Sequence, residues 1–133
     1  MIKYMEIKSS KRSEFIDITG HIQNLIDKEI STGDGICYLY VPHTTAALTI
    51  NEGADPSVKR DIVTTLTELI PHVANYQHME GNSDAHIKAS LFGSSEVLLI
   101  ENGRLALGTW QAVYFCEFDG PRERKLAIKI MEG

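Results

Sequence analysis

The sequence has no surplus of positive charge. Thirteen lysines and arginines stand against eighteen aspartates and glutamates, a net charge of −5, which argues against binding nucleic acid through a broad basic surface. A small anionic ligand stays open, because a local nest of donors can hold an anion on an acidic protein. Cysteine is scarce too: Cys37 and Cys116 each sit inside an apolar run and read as buried thiols rather than a disulfide. No apolar run approaches the roughly eighteen residues of a membrane span, and Met1 to Glu6 lacks the apolar stretch and cleavage site of a signal peptide. The expectation is a cytoplasmic protein. A phosphate loop, a dinucleotide fingerprint and a Gly-x-Ser-x-Gly elbow are all missing, which removes the common nucleotide-dependent and hydrolase classes as strong candidates.

What is present suits one domain over residues 1–133. Residues 1–8 and 14–19 alternate and predict an opening β-hairpin turned by Ser9-Ser10-Lys11-Arg12. Thr19 reads as the N-cap of a helix carrying Ile22, Leu25, Ile26 and Ile30. Residues 36–41 and 46–51 predict strands. A second helix starts with Asp55 as cap and Pro56 in its first position, and Pro71 ends it. A polar stretch follows, then a short helix over 85–91 capped by Ser83 or Asp84 and closed by Gly93. Strands over 95–101, 109–119 and 122–131 finish the chain. The order ββαββ, helix, short helix, βββ predicts an α+β fold, a mostly antiparallel β-sandwich with two main helices.

Three polar clusters lie beside apolar elements, where loops on a rigid scaffold carry chemistry. They are Pro42-His43-Thr44-Thr45, Asn51-Glu52-Gly53-Ala54-Asp55, and the stretch from His78 to His86 with Asn82 and Asp84 inside it. Neutral imidazole is a common metal ligand, and a helix N-terminus near His86 favours the neutral ring. His43, His78 and His86 are therefore candidate ligands for a divalent metal, zinc or magnesium. The spacing matches no compact ligand motif, so histidines without a metal are the competing reading. Glu52 and Asp55 are the candidate catalytic carboxylates, Glu52 as base and Asp55 with a capping role as its alternative. His43 joins them as a catalytic candidate. Asn102-Gly103 predicts a hairpin turn, and Trp110 reads as a packing anchor. Arg104 is the one basic residue near that turn. No dense cluster of lysines and arginines marks a diphosphate site.

Taken in order, Pro42-His43-Thr44-Thr45-Ala46, Asn51-Glu52 with Asp55, His78, Ala85-His86-Ile87-Lys88 and Gly108-Thr109-Trp110-Gln111 resemble the successive motifs of the YjbQ-like family, uncharacterised protein family 0047. The family signature runs from Ser95 through Leu98, Ile100 and Gly103 to Gly108-Thr109-Trp110-Gln111 and Val113. The resemblance implies a β-sandwich with helices, a homotrimer, and a cleft near a subunit interface that holds a metal or an anion. It also implies a secondary thiamine-phosphate synthase activity, which joins a hydroxymethylpyrimidine diphosphate to a thiazole phosphate and releases pyrophosphate. Thr44, Thr45, Asn82, Gly108, Thr109 and Gln111 are then candidate substrate-binding residues. The leading expectation is a small enzyme acting on a small phosphorylated metabolite. A non-catalytic metabolite- or anion-binding protein and a trimeric scaffold with structural histidines are the alternatives.

Overall fold

The computed structural model describes residues 1–133. Eight strands and three helices run in the order β1 (Ile2–Lys8), β2 (Glu14–Asp17), α1 (Thr19–Glu29), β3 (Gly35–Tyr40), β4 (Ala46–Glu52), α2 (Pro56–Leu69), α3 (Ser83–Phe92), β5 (Ser95–Glu101), β6 (Arg104–Leu105), β7 (Gln111–Glu117) and β8 (Glu123–Glu132). The strands form two antiparallel sheets, β1-β8-β3-β5-β6 and β2-β7-β4. The α+β sandwich read from the sequence is the observed architecture, with the two-residue strand β6 added where Asn102 and Gly103 turn β5 back on itself. Both turn residues have positive φ, the conformation that a two-residue hairpin needs and that Asn-Gly supplies.

Alternation assigns the faces. On β3, Cys37 and Leu39 point inward, as do Leu98 and Ile100 on β5 and Leu126 and Ile128 on β8. They meet Leu48, Val113 and Phe115 from the smaller sheet and Ile22 and Ile26 from α1. Strand β7 is buried along nearly its whole length, because its other face is covered as well. There Phe15, Ala112, Tyr114, Cys116 and Phe118 pack under α2 and α3. Phe15 meets the Phe92 and Phe118 rings edge-on at 5.8 and 6.2 Å, the geometry aromatic quadrupoles prefer. Both cysteines are free and buried, and burial pushes the Cys37 thiol up to about 12. No helix is long and apolar enough to cross a membrane.

Three local expectations need correction. The opening strands form no hairpin: β1 pairs with β8 in one sheet and β2 with β7 in the other. Their apolar residues serve opposite layers of the sandwich, so the intervening turn carries the chain across rather than back. Thr19 does not cap α1. Its hydroxyl accepts from the Val113 amide at 2.9 Å, and Ile18 holds the cap position. Trp110 is no packing anchor, for it is 65 % exposed. Helix α2 starts as read, with Asp55 accepting from the Ser57 amide and Pro56 following.

Three connections cross between the sheets at one end of the sandwich: 9–13, 41–45 and 118–122. Backbone leaving a sheet cannot satisfy itself with ladder bonds, so side chains take over. The polar residues gathered there define the candidate site.

Candidate functional site

An ion-pair network holds this end together. Glu117 is fully buried and lies against Arg124 of β8. It also accepts from the Ser9 hydroxyl at 2.7 Å and the Asp119 amide at 3.0 Å. Arg124 in turn donates to the Thr45 hydroxyl at 2.9 Å. Beside it, Arg12 forks onto Asp84 at 2.9 and 3.1 Å, and buried Lys88 reaches the same carboxylate at 3.4 Å. Asp119 accepts from Asn82 at 2.8 Å and from Arg122 at 2.9 Å. Burial works against the charged form of each carboxylate. Hydrogen bonds and cationic neighbours outweigh it and hold Glu117, Asp84 and Asp119 below the usual carboxylate range. The Asp84 carboxylate is therefore spent on Arg12 and Lys88 and caps nothing. Asn82 takes the cap position of α3 without a side-chain capping bond.

Over this network opens a cleft of about 680 Å³. His43, Thr44 and Thr45 line it from the 41–45 crossing, Glu80, Asn82 and His86 from the start of α3, and Arg122 and Arg124 from the start of β8. The first and third polar clusters of the sequence meet here, whereas the second, with Glu52, does not, and Arg122 and Arg124 join them without having been expected. Arg122 immediately precedes β8 and Arg124 is its second residue, so both stand at the cleft end of that strand. Arg124 spends Nε and Nη2 on Glu117 and Thr45. Its Nη1 has no protein partner and is not sealed from solvent. Arg122 likewise spends Nε and Nη2 on Asp119. Each guanidinium therefore keeps one nitrogen for a ligand.

The histidines differ in state. The Lys125 amide donates to His43 Nε2 at 2.9 Å, so the ring proton sits on Nδ1. Burial, then Arg124, lowers the pKa of His43 below the usual imidazole value. His43 is thus a neutral ring with a donor at Nδ1. His86 and His78 meet edge to face with centroids 5.4 Å apart, and His78 Nε2 lies 3.8 Å from Glu80 Oε2. His78 stands behind His86 and is not among the residues lining the cleft. No three His, Cys, Asp or Glu side chains of one chain surround a common point as metal ligands. With His43 Nε2 committed to an amide, the three-histidine set does not fit a metal as arranged. Thr45 is buried and committed to Arg124, while Thr44 is exposed toward the cleft. The other two histidines lie apart, His21 on the surface of α1 and His72 on the surface with Nε2 against the Gly81 carbonyl.

The remaining candidates lie elsewhere in the chain. Glu52 ends β4 opposite Gln111, six residues from the cleft end of that strand at Ala46, a separation of about 20 Å at strand rise. Its Oε2 accepts from the Ala54 amide at 2.7 Å, and the Gly53 amide donates to the Trp110 carbonyl at 2.8 Å. Asp55 is held by the Ser57 hydroxyl and amide, which lower its pKa. Gln111 Oε1 accepts from the Gly108 amide at 2.8 Å, and Thr109 and Trp110 are exposed. One chain therefore carries two polar centres, and Glu52, Asp55, Gly108, Thr109 and Gln111 do not reach the histidine cleft of their own chain.

The model of the family described as UPF0047 protein YjbQ-like matches residues 3–133. A UPF0047 protein of Methanocaldococcus jannaschii is 54 % identical over 98 % of this chain and 94 % of its own. The UPF0047 protein YugU of Bacillus subtilis is 50 % identical over 98 % and 99 %. The crystal structure of a YjbQ/UPF0047 protein from Clostridium acetobutylicum superposes with a TM-score of 0.93 at 52 % identity, covering 97 % of this chain and 99 % of that one. With full-length matches in sequence and in fold, the chain belongs to the YjbQ-like UPF0047 family.

Proposed function

We propose that the chain is a small enzyme that binds a phosphorylated metabolite in the cleft and transfers a group from it, in the manner of a thiamine-phosphate synthase. The observation that carries this reading is the convergence of unspent donors in one polar cleft: Arg122 Nη1, Arg124 Nη1, His43 Nδ1–H and the hydroxyl of Thr44. Donors fixed by buried partners need no reorganisation as negative charge builds up, which is where electrostatic catalysis is strongest. Arg124 is held by a carboxylate underneath, so its free edge is a rigid fork end suited to a phosphate oxygen.

In the reaction proposed, the carbon–oxygen bond to the diphosphate breaks and its electron pair leaves with the pyrophosphate. A bond forms from that carbon to the thiazole nitrogen. The two arginines and His43 take up the charge on the leaving group, and the ring N–H of His86, on the same cleft wall, donates a hydrogen bond to it. A divalent ion, zinc or magnesium, enters this reading only as the counter-ion of the diphosphate, and no step depends on it. Homotrimeric assembly and a cytoplasmic location belong to the same proposal. The uncovered outer face of the five-stranded sheet, with Tyr4 and Leu99 more than 60 % exposed, supports association.

Incubation of the protein with hydroxymethylpyrimidine diphosphate and thiazole phosphate tests the proposal by mass spectrometry of the products. Thiamine phosphate and pyrophosphate in equal amounts are expected. Diphosphate binding without product would favour the metabolite-binding alternative, and neither binding nor product would overturn the reading.

A further inference from the structure

No dense cluster of cations stands in the sequence, yet the fold builds one away from the cleft. Lys59 and Arg60 sit one turn before Val63 and Thr64 on α2, so the four side chains share one side of the helix. Lys11 and Ser13 approach them from the 9–13 crossing, and the buried Phe15 ring forms the floor. Together they enclose a pocket of about 290 Å³ that shares no residue with the histidine cleft.

None of Lys11, Lys59 and Arg60 has a carboxylate partner among the ion pairs of the chain. The one carboxylate in the lining, Glu14, is already committed. Its Oε1 accepts from the Ser10 amide at 2.8 Å and its Oε2 from the Ser10 hydroxyl at 2.9 Å. Asp55, at the start of α2, is held by Ser57 and feels Arg60 only weakly. Three cations against one carboxylate leave a local surplus of two positive charges, on a chain whose net charge is −5. Lys59 is also held in place. Its Nζ donates to the Phe15 carbonyl at 3.4 Å and stands 5.6 Å from the centre of the Tyr114 ring, within cation–π range. An ammonium has three N–H donors, so two remain for a ligand, and Ser13 and Thr64 add hydroxyls.

We infer that this pocket is a second anion site, built for a phosphate monoester carried on a single ring. Charge selects the phosphate, because a monoester carries about −1.5 to −2 at pH 7, which matches the surplus. Size selects the ring. Pockets for small molecules span roughly 300–1,000 Å³, so this one, at about 290 Å³, takes one ring and not a nucleotide. Phe15 and Val63 supply the apolar wall for that ring, which inorganic phosphate would leave bare. The site stands apart from the reaction proposed for the cleft and does not depend on it.

Amide NMR of the full chain tests this with phenyl phosphate and inorganic phosphate as probes. Phenyl phosphate should shift the amides of Ser13 and of residues 59–64 saturably. Its Kd there should be about tenfold below that of inorganic phosphate, because the ring covers the apolar wall. The double variant Lys59→Gln with Arg60→Gln should abolish these shifts with the melting temperature unchanged. Lys11→Gln, at an exposed position, should weaken binding several-fold by itself. Phenol, the uncharged control, should shift none of these amides at matched concentration. Shifts at His43 and His86 report the cleft separately. Unmoved amides at Ser13 and 59–64, equal shifts with phenol, a phenyl phosphate Kd no lower than that of inorganic phosphate, or shifts that survive the double substitution would each overturn the inference.

Discussion

Replacing Arg124 by alanine is expected to destabilise the protein by about 3–5 kcal/mol, because it strands a buried carboxylate without its counter-charge. Glu117 is fully buried and keeps only the Ser9 hydroxyl and the Asp119 amide once the guanidinium is gone. Thr45 loses its donor in the same step. For a chain of this length the cost corresponds to a fall in melting temperature of about 10 °C or more, measured by calorimetry. The effect has a defined pH dependence. The folded pKa of Glu117 lies below its unfolded value, so its contribution is complete above the usual carboxylate range. It is lost as pH falls through the folded value. The gap between wild type and Arg124→Ala should therefore be widest near neutral pH and narrow in acid. A gap that widened in acid would assign the loss to packing instead.

Replacing His86 by alanine should lower turnover of the diphosphate substrate about 10²- to 10³-fold, the range for losing one preorganised donor to developing negative charge. The melting temperature should hardly change. His86 is half-buried and its ring touches His78 rather than the apolar core. Alanine at His21, exposed on α1, serves as the control and should leave the rate unchanged. A His86 variant as fast as wild type would remove this residue from the chemistry.

The fold was legible in the sequence because period-two and helical patterns survive wherever one face of an element is buried. Strand β5 and the Asp55-Pro56 start of α2 are examples. The β1–β2 connection misled because a turn between two alternating segments looks the same whether the chain folds back or crosses between layers. Only the register of β1 against β8 and of β2 against β7 distinguishes them. In the cleft, His43, Thr44, Asn82 and His86 were visible as polar breaks. Arg122 and Arg124 were not, since a charged residue at a strand start ordinarily faces solvent. Their role depends on Glu117 and Asp119, carboxylates at the end of an apolar run that the chain brings near only in three dimensions. Glu52 was grouped with the histidines on chemistry alone, and the length of β4 separates them within one chain.

The most direct test of the cleft is an imidazole nitrogen NMR titration with inorganic pyrophosphate. Five histidines report at once. Shifts confined to His43 and His86, with His21 unmoved and all of them abolished by Arg122→Ala, are the expected result. Uniform small shifts that include His21, or none at His43 and His86, would contradict an anion site in this cleft.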